Sequence, residues 1–281
     1  MEIKKSISTG FFRDLTPEAC VKELADAGFR YAEFGLEHGI PMLEKSSDGE
    51  KLGRDLAKVA ADQGLSFLQG HLDMDLDLCD PRDHDRLKLW LDLFHGLGIR
   101  SAVLHATGVP HLPLAQQLEV RGPALADLAR HIAGTGMTIC LENLVSNEMI
   151  RVVDGILSLI EAAGNGPELG ICLDIGHLRR ARGHGLTEQT SREFIQKAGK
   201  RLKALHVHDN MGVNDDHLFP FCTSGLDWKM FMQALEENGY RDLFNLELPG
   251  ERHAPLEVRR QKLHYALWLC DYLSSPGFMH G

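Results

Sequence analysis

Residues 171–177 read Ile-Cys-Leu-Asp-Ile-Gly-His, an apolar run that ends on an acid and is followed by a histidine. Residues 140–143 (Cys-Leu-Glu-Asn), 205–210 (Leu-His-Val-His-Asp-Asn) and 245–248 (Asn-Leu-Glu-Leu) likewise place an acid or a histidine in an apolar run. These side chains are 32, 32 and 41 residues apart. Since a strand with its returning helix takes roughly 30 or more residues, we expect them to lie on successive strands and to meet at one end of a sheet. They are Glu142, Asp174, His206 and Glu247.

Strand and helix patterns alternate along the whole chain. Eight short apolar runs begin near residues 3, 31, 65, 99, 137, 169, 202 and 243, and each is followed by a helical pattern. Strands that are apolar throughout are typical of a parallel sheet covered on both faces. The predicted fold class is therefore α/β, a single (β/α)8 TIM barrel over residues 1–273 with a flexible tail at 274–281. An open doubly wound sheet is the alternative, but no Gly-x-Gly-x-x-Gly follows the first strand.

The composition is that of an ordinary globular protein, with 281 residues, 43% hydrophobic and 25% charged. The net charge of −10 argues against general nucleic-acid binding, because an acidic surface repels phosphate backbones. The N-terminus lacks the apolar core of a signal peptide, and no run reaches the ~18 apolar residues of a membrane span. We therefore expect a cytoplasmic protein without membrane contact.

The six cysteines are scattered and include no Cys-x-x-Cys pair, which fits a reducing compartment. Three of them lie in apolar runs and are expected to be small buried side chains. These are Cys140, Cys172 and Cys270.

Histidine, aspartate or glutamate follows six consecutive predicted strands, the third to the eighth, at the barrel end that forms the active face. A single such residue is commonly a hydrogen-bonded strand end. Three buried carboxylates at one rim repel one another, however, and a divalent cation would remove that repulsion. Oxygen and nitrogen ligands together suit Mn²⁺, Mg²⁺ or Co²⁺, and Zn²⁺ also fits. The remaining residues at this rim are His71, His105, His177 and His208, with Asp215 and His217 as additional candidate ligands in the seventh loop.

Two histidines compete for the ligand position on the seventh strand. His206 and His208 are two residues apart, so both point to the same face of the strand and either could bind the ion.

The four motifs together resemble the xylose-isomerase-like TIM-barrel superfamily of sugar isomerases and epimerases, in order and over essentially the whole chain. In that family a glutamate after strand five, an aspartate after six, a histidine on seven and a glutamate after eight hold one divalent ion. The resemblance implies that His177 contacts a substrate oxygen, and it favours His206 over His208, which then lines the pocket. The implied ligand set is Glu142, Asp174, His206 and Glu247.

The activity that this resemblance implies is isomerisation or epimerisation of an open-chain sugar, or of a sugar-like polyol or keto acid. A cation on the carbonyl and a neighbouring hydroxyl would stabilise the ene-diolate that forms when the α-carbon loses its proton. Glu142 and Glu247 would remove and return that proton, and His71, His105, His177 and His208 would bind substrate. The expected partner is a small carbohydrate. A homo-oligomer is common among such barrels, although no decisive interface stripe is visible.

The sequence leaves two other functions open. Type IV apurinic endonucleases use a related barrel with three zinc ions, and their nine ligands have counterparts here. However, residues 206–211 depart from the His-x-Asn-Asp motif of those phosphodiesterases. A catalytically inactive sugar-binding barrel is the third hypothesis, and the intact acid set disfavours it. The nine counterparts are His71, His105, Glu142, Asp174, His177, His206, Asp215, His217 and Glu247.

Substrate identity stays open because distinctive features of ketose epimerases are missing. Residues 211–214 contain no basic residue, where such epimerases often have an arginine that binds a distal hydroxyl. The basic residues 179–182 (Arg-Arg-Ala-Arg) are expected to be a solvated loop, with an anchor for a phosphate or carboxylate as the alternative.

Overall fold

In a computed structural model, which describes residues 3–281, eight parallel strands alternate with helices. The strands are β1 (Lys4–Ile7), β2 (Tyr31–Phe34), β3 (Ser66–His71), β4 (Ser101–Leu104), β5 (Thr138–Glu142), β6 (Leu169–Asp174), β7 (Leu202–His206) and β8 (Leu243–Leu246).

The strands close into a ring. β2 to β7 pair in chain order in one sheet, and β1 pairs with β8 in parallel. Single parallel bridges join the two parts, Ser8 to Glu33 and Val207 to Leu246. Because β1 and β8 pair with each other, the sheet is not open, and the predicted single (β/α)8 TIM barrel is confirmed. Both joining bridges lie at the carboxyl ends of the strands, where the predicted site residues are.

The helices within residues 3–281 cover the outside of the ring. They are α1 (Pro17–Asp26), α2 (Leu36–Leu43), α3 (Gly49–Asp62), α4 (Pro81–Leu97), α5 (Leu114–His131), α6 (Val153–Ala162), α7 (Ile175–Gly183), α8 (Ser191–Ala198), α9 (Trp228–Asn238), α10 (Leu256–Ser274) and α11 (Pro276–His280).

Local sequence signals explain where several helices begin. Thr16 accepts a hydrogen bond from the Ala19 amide at the start of α1, and Thr190 forms a reciprocal capping box with Glu193 at the start of α8. Asp80 caps two amides of α4. Across the described chain, no helix is both long and apolar enough to cross a membrane.

Small side chains form the layer beneath the predicted site. Side chains two apart on a strand point to the same face, so Cys140 lies below Glu142 and Cys172 lies below Asp174. These cysteines pack with Val103 and the Ala204 side chain in a separate buried cluster. Burial raises the pKa of the Cys140 thiol to about 12, and Cys270 is also fully buried. The expectation of small buried cysteines is therefore confirmed.

Residues 179–182, which were expected to be a solvated loop, lie within the helix of residues 175–183. The helix α7 begins directly after β6, and the Asp174 side chain caps it by accepting a hydrogen bond from the His177 amide at 2.7 Å. One residue thus ends a strand and starts a helix, and the sequence pattern did not show this second role.

The last residues are not a flexible tail in the structure. The Ser275 hydroxyl caps α11, and this short helix packs on α9. The Lys229 and Gln233 side chains donate hydrogen bonds to the carbonyls of Gly281 and Met279, at 2.7 Å each. The Met279 side chain is fully buried. The sequence missed this because a five-residue helix has little periodicity and is stabilised by tertiary contacts.

We expect Met279→Ala to lower the free energy of unfolding by at least about 2 kcal/mol, because it removes a buried side chain and leaves a cavity. Urea denaturation measures the change. The matched control is Met211→Ala at a side chain that is 65% exposed, where the change should stay within about 0.5 kcal/mol. Equal stability of the two variants would mean that the C-terminus does not pack in solution.

Candidate functional site

Three of the four predicted metal ligands converge on a ring nitrogen of the fourth, His206. The Nδ1 atom of His206 lies 3.3 Å from Glu142 Oε2, 3.4 Å from Glu247 Oε2 and 3.9 Å from Asp174 Oδ2. Candidate ligand atoms of Asp174, His206 and Glu247 all lie within 4.8 Å of one another. Residues from four successive strands or strand ends therefore meet at a single point, as their spacing predicted.

Asn143 holds the ends of β5 and β6 together. Its amide nitrogen donates to the Asp174 carbonyl at 2.9 Å, and its amide oxygen accepts from the Asp174 backbone N–H at 2.8 Å. Both residues are buried. This pair of hydrogen bonds fixes the spacing between the ends that carry Glu142 and Asp174, so it accounts for the asparagine in the Leu-Glu-Asn motif.

Gly176 makes room for His208, which follows the end of β7 by two residues. A Cβ atom at Gly176 would lie 2.0 Å from the His208 ring, which leaves no space for any other residue type. His208 is fully buried and its Nε2 lies 3.2 Å from the Asp174 carboxylate. The glycine in the Asp-Ile-Gly-His motif therefore permits an imidazole to reach the aspartate.

Glu33, which the sequence motifs did not single out, orients His206. Glu33 is fully buried on β2, and its Oε1 lies 2.8 Å from His206 Nε2. Gln69 donates to Oε1 and Asn245 to Oε2, at 2.8 and 2.7 Å. A carboxylate that binds one ring nitrogen fixes the ring so that the other nitrogen can bind a metal. The one available signal was an acid within an otherwise apolar strand, Tyr-Ala-Glu-Phe.

We expect Glu33→Gln to weaken divalent-metal binding by about 10–100-fold, because loss of the carboxylate frees the His206 ring and makes its Nδ1 less basic. Isothermal calorimetry with Mn²⁺ and Zn²⁺ on metal-free protein measures the effect. Glu37→Gln, four residues later in the same segment and outside the cluster, is the control. Unchanged affinity in Glu33→Gln would show that this carboxylate does not position His206.

The remaining predicted histidines lie around the same carboxylates. His71 Nε2 and His105 Nε2 are 3.3 and 3.1 Å from Glu142 Oε2. His177 Nδ1 is 3.0 Å from Glu142 Oε1, and its Nε2 is 3.0 Å from Asp215 Oδ2. These side chains were expected to bind substrate, and in the structure each contacts an acid of the cluster. They are therefore as well placed to hold a cation as to contact a substrate.

The seventh loop, which connects β7 to α9, contains the last two predicted residues, Asp215 and His217. His217 stacks on His208 with ring centroids 3.9 Å apart, and its Nε2 lies 3.4 Å from Asp215 Oδ2. His217 has a φ of 47°, which is uncommon for a non-glycine residue. Asp209 anchors the loop through two backbone hydrogen bonds with Leu218, 2.7 Å each. Asp215 and His217 thus join the cluster.

The orientation of the rings tests whether these residues fit a metal. His71 and His217 direct Nδ1 at backbone carbonyls, at 2.7 and 3.0 Å, so that Nδ1 must donate. Their Nε2 atoms then face carboxylate oxygens. His206 has the same arrangement with its nitrogens exchanged, and its buried Nδ1 has no hydrogen-bond partner. A lone pair aimed at a carboxylate is repelled unless a proton or a cation lies between them, so the donor set fits a divalent metal ion.

Electrostatic effects in the cluster oppose the effect of burial. Burial favours the neutral forms, but the charges of His206 and His105 hold the pKa of Glu142 well below its usual range. Burial alone would lower the pKa of His71, but the hydrogen bond to Glu142 and the charges of Glu142 and Glu33 together outweigh it and raise this pKa to about 9. Burial would also lower the pKa of His217, but the hydrogen bond to Asp215 and the charges of Asp215 and Glu247 together outweigh it and raise this pKa to about 10.

We expect metal binding at pH 7 to release at least one proton. His71 and His217 carry protons at this pH in the metal-free protein, because their pKa values are raised to about 9 and 10. A metal needs the deprotonated nitrogen, so affinity should fall as the pH is lowered from 8 to 6. Calorimetric titrations in buffers of different ionisation enthalpy count the protons. Binding without proton release would show that these rings are already neutral or are not ligands.

A pocket of about 210 Å³ opens beside the cluster. Three cluster residues, His71, His217 and Glu247, form part of its wall. Glu247 retains a side-chain exposure of 23%, whereas that of Glu142 is 1%. The two glutamates are therefore unequal, and Glu247 is the one that faces the pocket. The other lining residues are Ser8, Gly10, Arg13, Gly35, Leu36, Glu37, Met74, Leu248 and Pro249.

The arginines of residues 179–182 lie on α7 and not in a solvated loop. Arg179 is largely buried and forms an ion pair with the fully buried Asp209. Its Nη1 also contacts the Thr223 hydroxyl. Arg180 donates to the Val213 carbonyl. Arg179 therefore ties the seventh loop to α7, and its charge is already balanced, which argues against the alternative of an anion anchor there.

Comparisons with known proteins agree with this architecture. The family model described as xylose isomerase-like TIM barrel matches residues 21–268. An uncharacterised protein of Sinorhizobium fredii is 28% identical over 188 residues, which cover 65% of this chain and 58% of the relative's length.

Two solved structures share the fold at low sequence identity. D-psicose 3-epimerase with D-tagatose from Clostridium cellulolyticum H10 is 16% identical, with a TM-score of 0.76 over 97% of this chain and 100% of that chain. The 3-keto-D-glucoside 4-epimerase of E. coli is 16% identical, with a TM-score of 0.72 over 95% of this chain and 100% of that chain. With a barrel that closes in chain order and a family model that spans most of its length, the chain belongs to the xylose isomerase-like TIM barrel family.

Proposed function

We propose that this protein is a sugar isomerase or epimerase that moves a proton at the carbon next to a carbonyl group. The observation that carries the proposal is the convergence of Glu142, Asp174 and Glu247 on the unpartnered Nδ1 of His206, directly beside a small pocket. Two solved structures with the same fold are named as sugar epimerases, which supports the same class of chemistry.

Glu142, Asp174, His206 and Glu247 would hold a divalent ion in this centre. When bound, the ion supplies Lewis acidity that makes the α-proton of a hydroxyketone easier to remove. Mn²⁺, Mg²⁺, Co²⁺ and Zn²⁺ all match the oxygen and nitrogen ligands. Glu33 keeps the His206 ring in the orientation that this ligand set needs.

Glu247 is the side chain best placed to take the proton. It faces the pocket and retains solvent exposure, so a substrate carbon can approach its carboxylate. We propose Glu142 as the second proton carrier, since its Oε2 lies 3.3 Å from the same His206 nitrogen. Removal by one carboxylate and return by the other would invert a carbon centre, whereas return of the proton to the neighbouring carbon would isomerise the sugar.

The pocket supports a monosaccharide-sized substrate. Its volume of about 210 Å³ is small, and it combines charged and apolar lining residues. Arg13 and Glu37 can hydrogen-bond sugar hydroxyls, while Leu36, Met74 and Leu248 offer apolar surface to the carbon skeleton.

Deuterium exchange tests the proposal on many sugars at once. Protein loaded separately with Mn²⁺, Mg²⁺, Co²⁺ or Zn²⁺ is incubated in D₂O with a panel of ketoses and inososes, and NMR detects deuterium at the α-carbon. We expect metal-dependent incorporation for at least one sugar. A protein with stoichiometric metal that exchanges no member of the panel would contradict the proposal.

The geometry also favours a second candidate, a zinc-dependent phosphodiesterase. The nine counterpart residues fall into neighbouring groups: His71 and His105 at Glu142, His177 and His217 at Asp215, and His206 among Glu142, Asp174 and Glu247. Such groups could hold more than one ion. Nicking of a duplex with an abasic site by zinc-loaded protein would favour this candidate. Protein that takes up no metal from solution would instead support an inactive sugar-binding barrel.

A further inference from the structure

A second cavity, of about 570 Å³, lies at the loops that follow β4 and β5. It is separate from the pocket beside Glu247 and shares no lining residue with it. Its wall begins at Thr107, two residues after His105, and includes Ser146, four residues after Glu142. Because an extended chain spans at most about 3.6 Å per residue, Thr107 lies within about 7 Å of the histidine at the cluster.

A buried arginine that forms no direct ion pair lines this cavity. Arg121 on α5 is 1% exposed. Its Nε donates to the Gly108 carbonyl at 2.9 Å, its Nη2 contacts the same oxygen, and its Nη1 lies 3.6 Å from Met149 Sδ. Within residues 3–281, no carboxylate lies within 4.0 Å of this guanidinium. Burial lowers the pKa of Arg121, and the nearby Cys79 and Asp77 side chains offset this effect only in part. A buried cation is unfavourable unless a paired anion balances it.

Further hydrogen-bond donors surround the same cavity. Arg151 uses its Nε to donate to the Val145 carbonyl at 2.9 Å, and its terminal nitrogens have no partner in the described chain. The N-terminus of α5 also lies here, and no side chain caps it. Glu148, an exposed residue, is the one acid in the lining. Two guanidinium groups and a free helix N-terminus therefore outnumber a single carboxylate.

We propose that this cavity is a subsite for an oxyanion, a phosphoryl or carboxylate group of the substrate, bound by Arg121 and Arg151. The inference rests on the proposed function and specifies its substrate class as an anionic sugar. The forked guanidinium matches the two oxygens of either group. The substrate would extend from the acid cluster past His105 and Thr107, with its charged end in the cavity.

Phosphate binding to metal-free protein tests the subsite by itself. After chelation of all metal, so that phosphate cannot bind an ion at the cluster, ³¹P NMR or calorimetry follows titration with inorganic phosphate. We expect saturable binding in the wild type and at least tenfold weaker binding in Arg151→Gln. The control Arg180→Gln, on α7 away from the cavity, should bind like the wild type. Equal binding by the three proteins, or no saturable binding at all, would overturn the subsite.

Arg121→Lys is a second variant, because Arg121 is buried and a neutral replacement would endanger the fold. It retains the charge but loses the planar fork, so we expect weaker phosphate binding with an unchanged circular dichroism spectrum. Phosphate affinity equal to that of the wild type in a folded Arg121→Lys protein would remove Arg121 from the subsite.

Activity measurements distinguish the sources of the oxyanion. With metal-loaded protein, Arg151→Gln should raise the KM for a sugar phosphate or a sugar acid at least tenfold and leave the KM for the matching neutral sugar unchanged. Whichever of the two, sugar phosphate or sugar acid, shows the larger rise in KM carries the oxyanion that the subsite binds. An equal effect on charged and neutral sugars would overturn the subsite. Phosphate binding without deuterium exchange on any sugar would contradict the proposed function and leave the subsite supported.

Discussion

Glu247→Gln is expected to lower α-carbon deuterium exchange at least about 10³-fold, with metal still bound. A positioned general base contributes roughly 10²–10⁴-fold, and Glu247 is the carboxylate that faces the pocket. Glutamine has the same shape and keeps one oxygen for a cation, but it cannot accept the proton. NMR of the sugar in D₂O measures the exchange, and elemental analysis of the same sample measures the metal.

The control for this variant is Glu251→Gln in the same loop. Glu251 is exposed and forms an ion pair with Lys262, so its loss should leave exchange unchanged. Wild-type exchange in Glu247→Gln with a full metal content would remove Glu247 from the role of base. Loss of both metal and exchange would identify it chiefly as a ligand.

Glu142→Gln should have the largest effect on metal binding, with metal content below about one-tenth of the wild type. The Glu142 carboxylate lies 3.0–3.3 Å from nitrogens of His71, His105, His177 and His206. Removing its charge takes away the group that these four rings share, and leaving buried charged partners without their counter-charge is strongly unfavourable. Exchange activity should be lost together with the metal.

An independent readout separates this expectation from a general loss of structure. In metal-free protein, Glu142 raises the pKa of His71 to about 9 against the effect of burial. In Glu142→Gln, NMR titration should therefore find His71 protonated only at a lower pH than in the wild type. Glu161→Gln, on the exposed face of α6, is the control. Normal metal content in Glu142→Gln would exclude Glu142 from the ligand set.

Glu142 and Glu247 differ in a way that their sequence motifs do not show. Both glutamates lie at strand ends in similar apolar motifs, so the motifs alone predicted the same role of proton carrier for each. In the structure, Glu142 is enclosed by histidines, whereas Glu247 borders the pocket. Exposure depends on which neighbouring loops cover a strand end, and this is not written in the strand itself.

The sequence by itself determined the barrel and the position of the acid cluster. Both follow from local and periodic features: apolar strands, capped helices, and repeats of about the length of a βα unit that place strand ends on one face. A side chain at a strand end must lie on that face whatever the details of packing. This is why Glu142, Asp174, His206 and Glu247 could be brought together without coordinates.

Only the tertiary structure decided which partner each side chain has. Glu33 contacts His206 across 173 residues of chain, and Arg179 is paired with Asp209. Arg121 is buried without a direct ion pair, and Met279 is buried where α11 packs on α9. No sequence period encodes such pairings, because they depend on distances of a few ångströms between segments far apart in the chain. Those distances set the burial and the electrostatic environment of each side chain, and these in turn decide which side chains can bind a metal ion or a substrate.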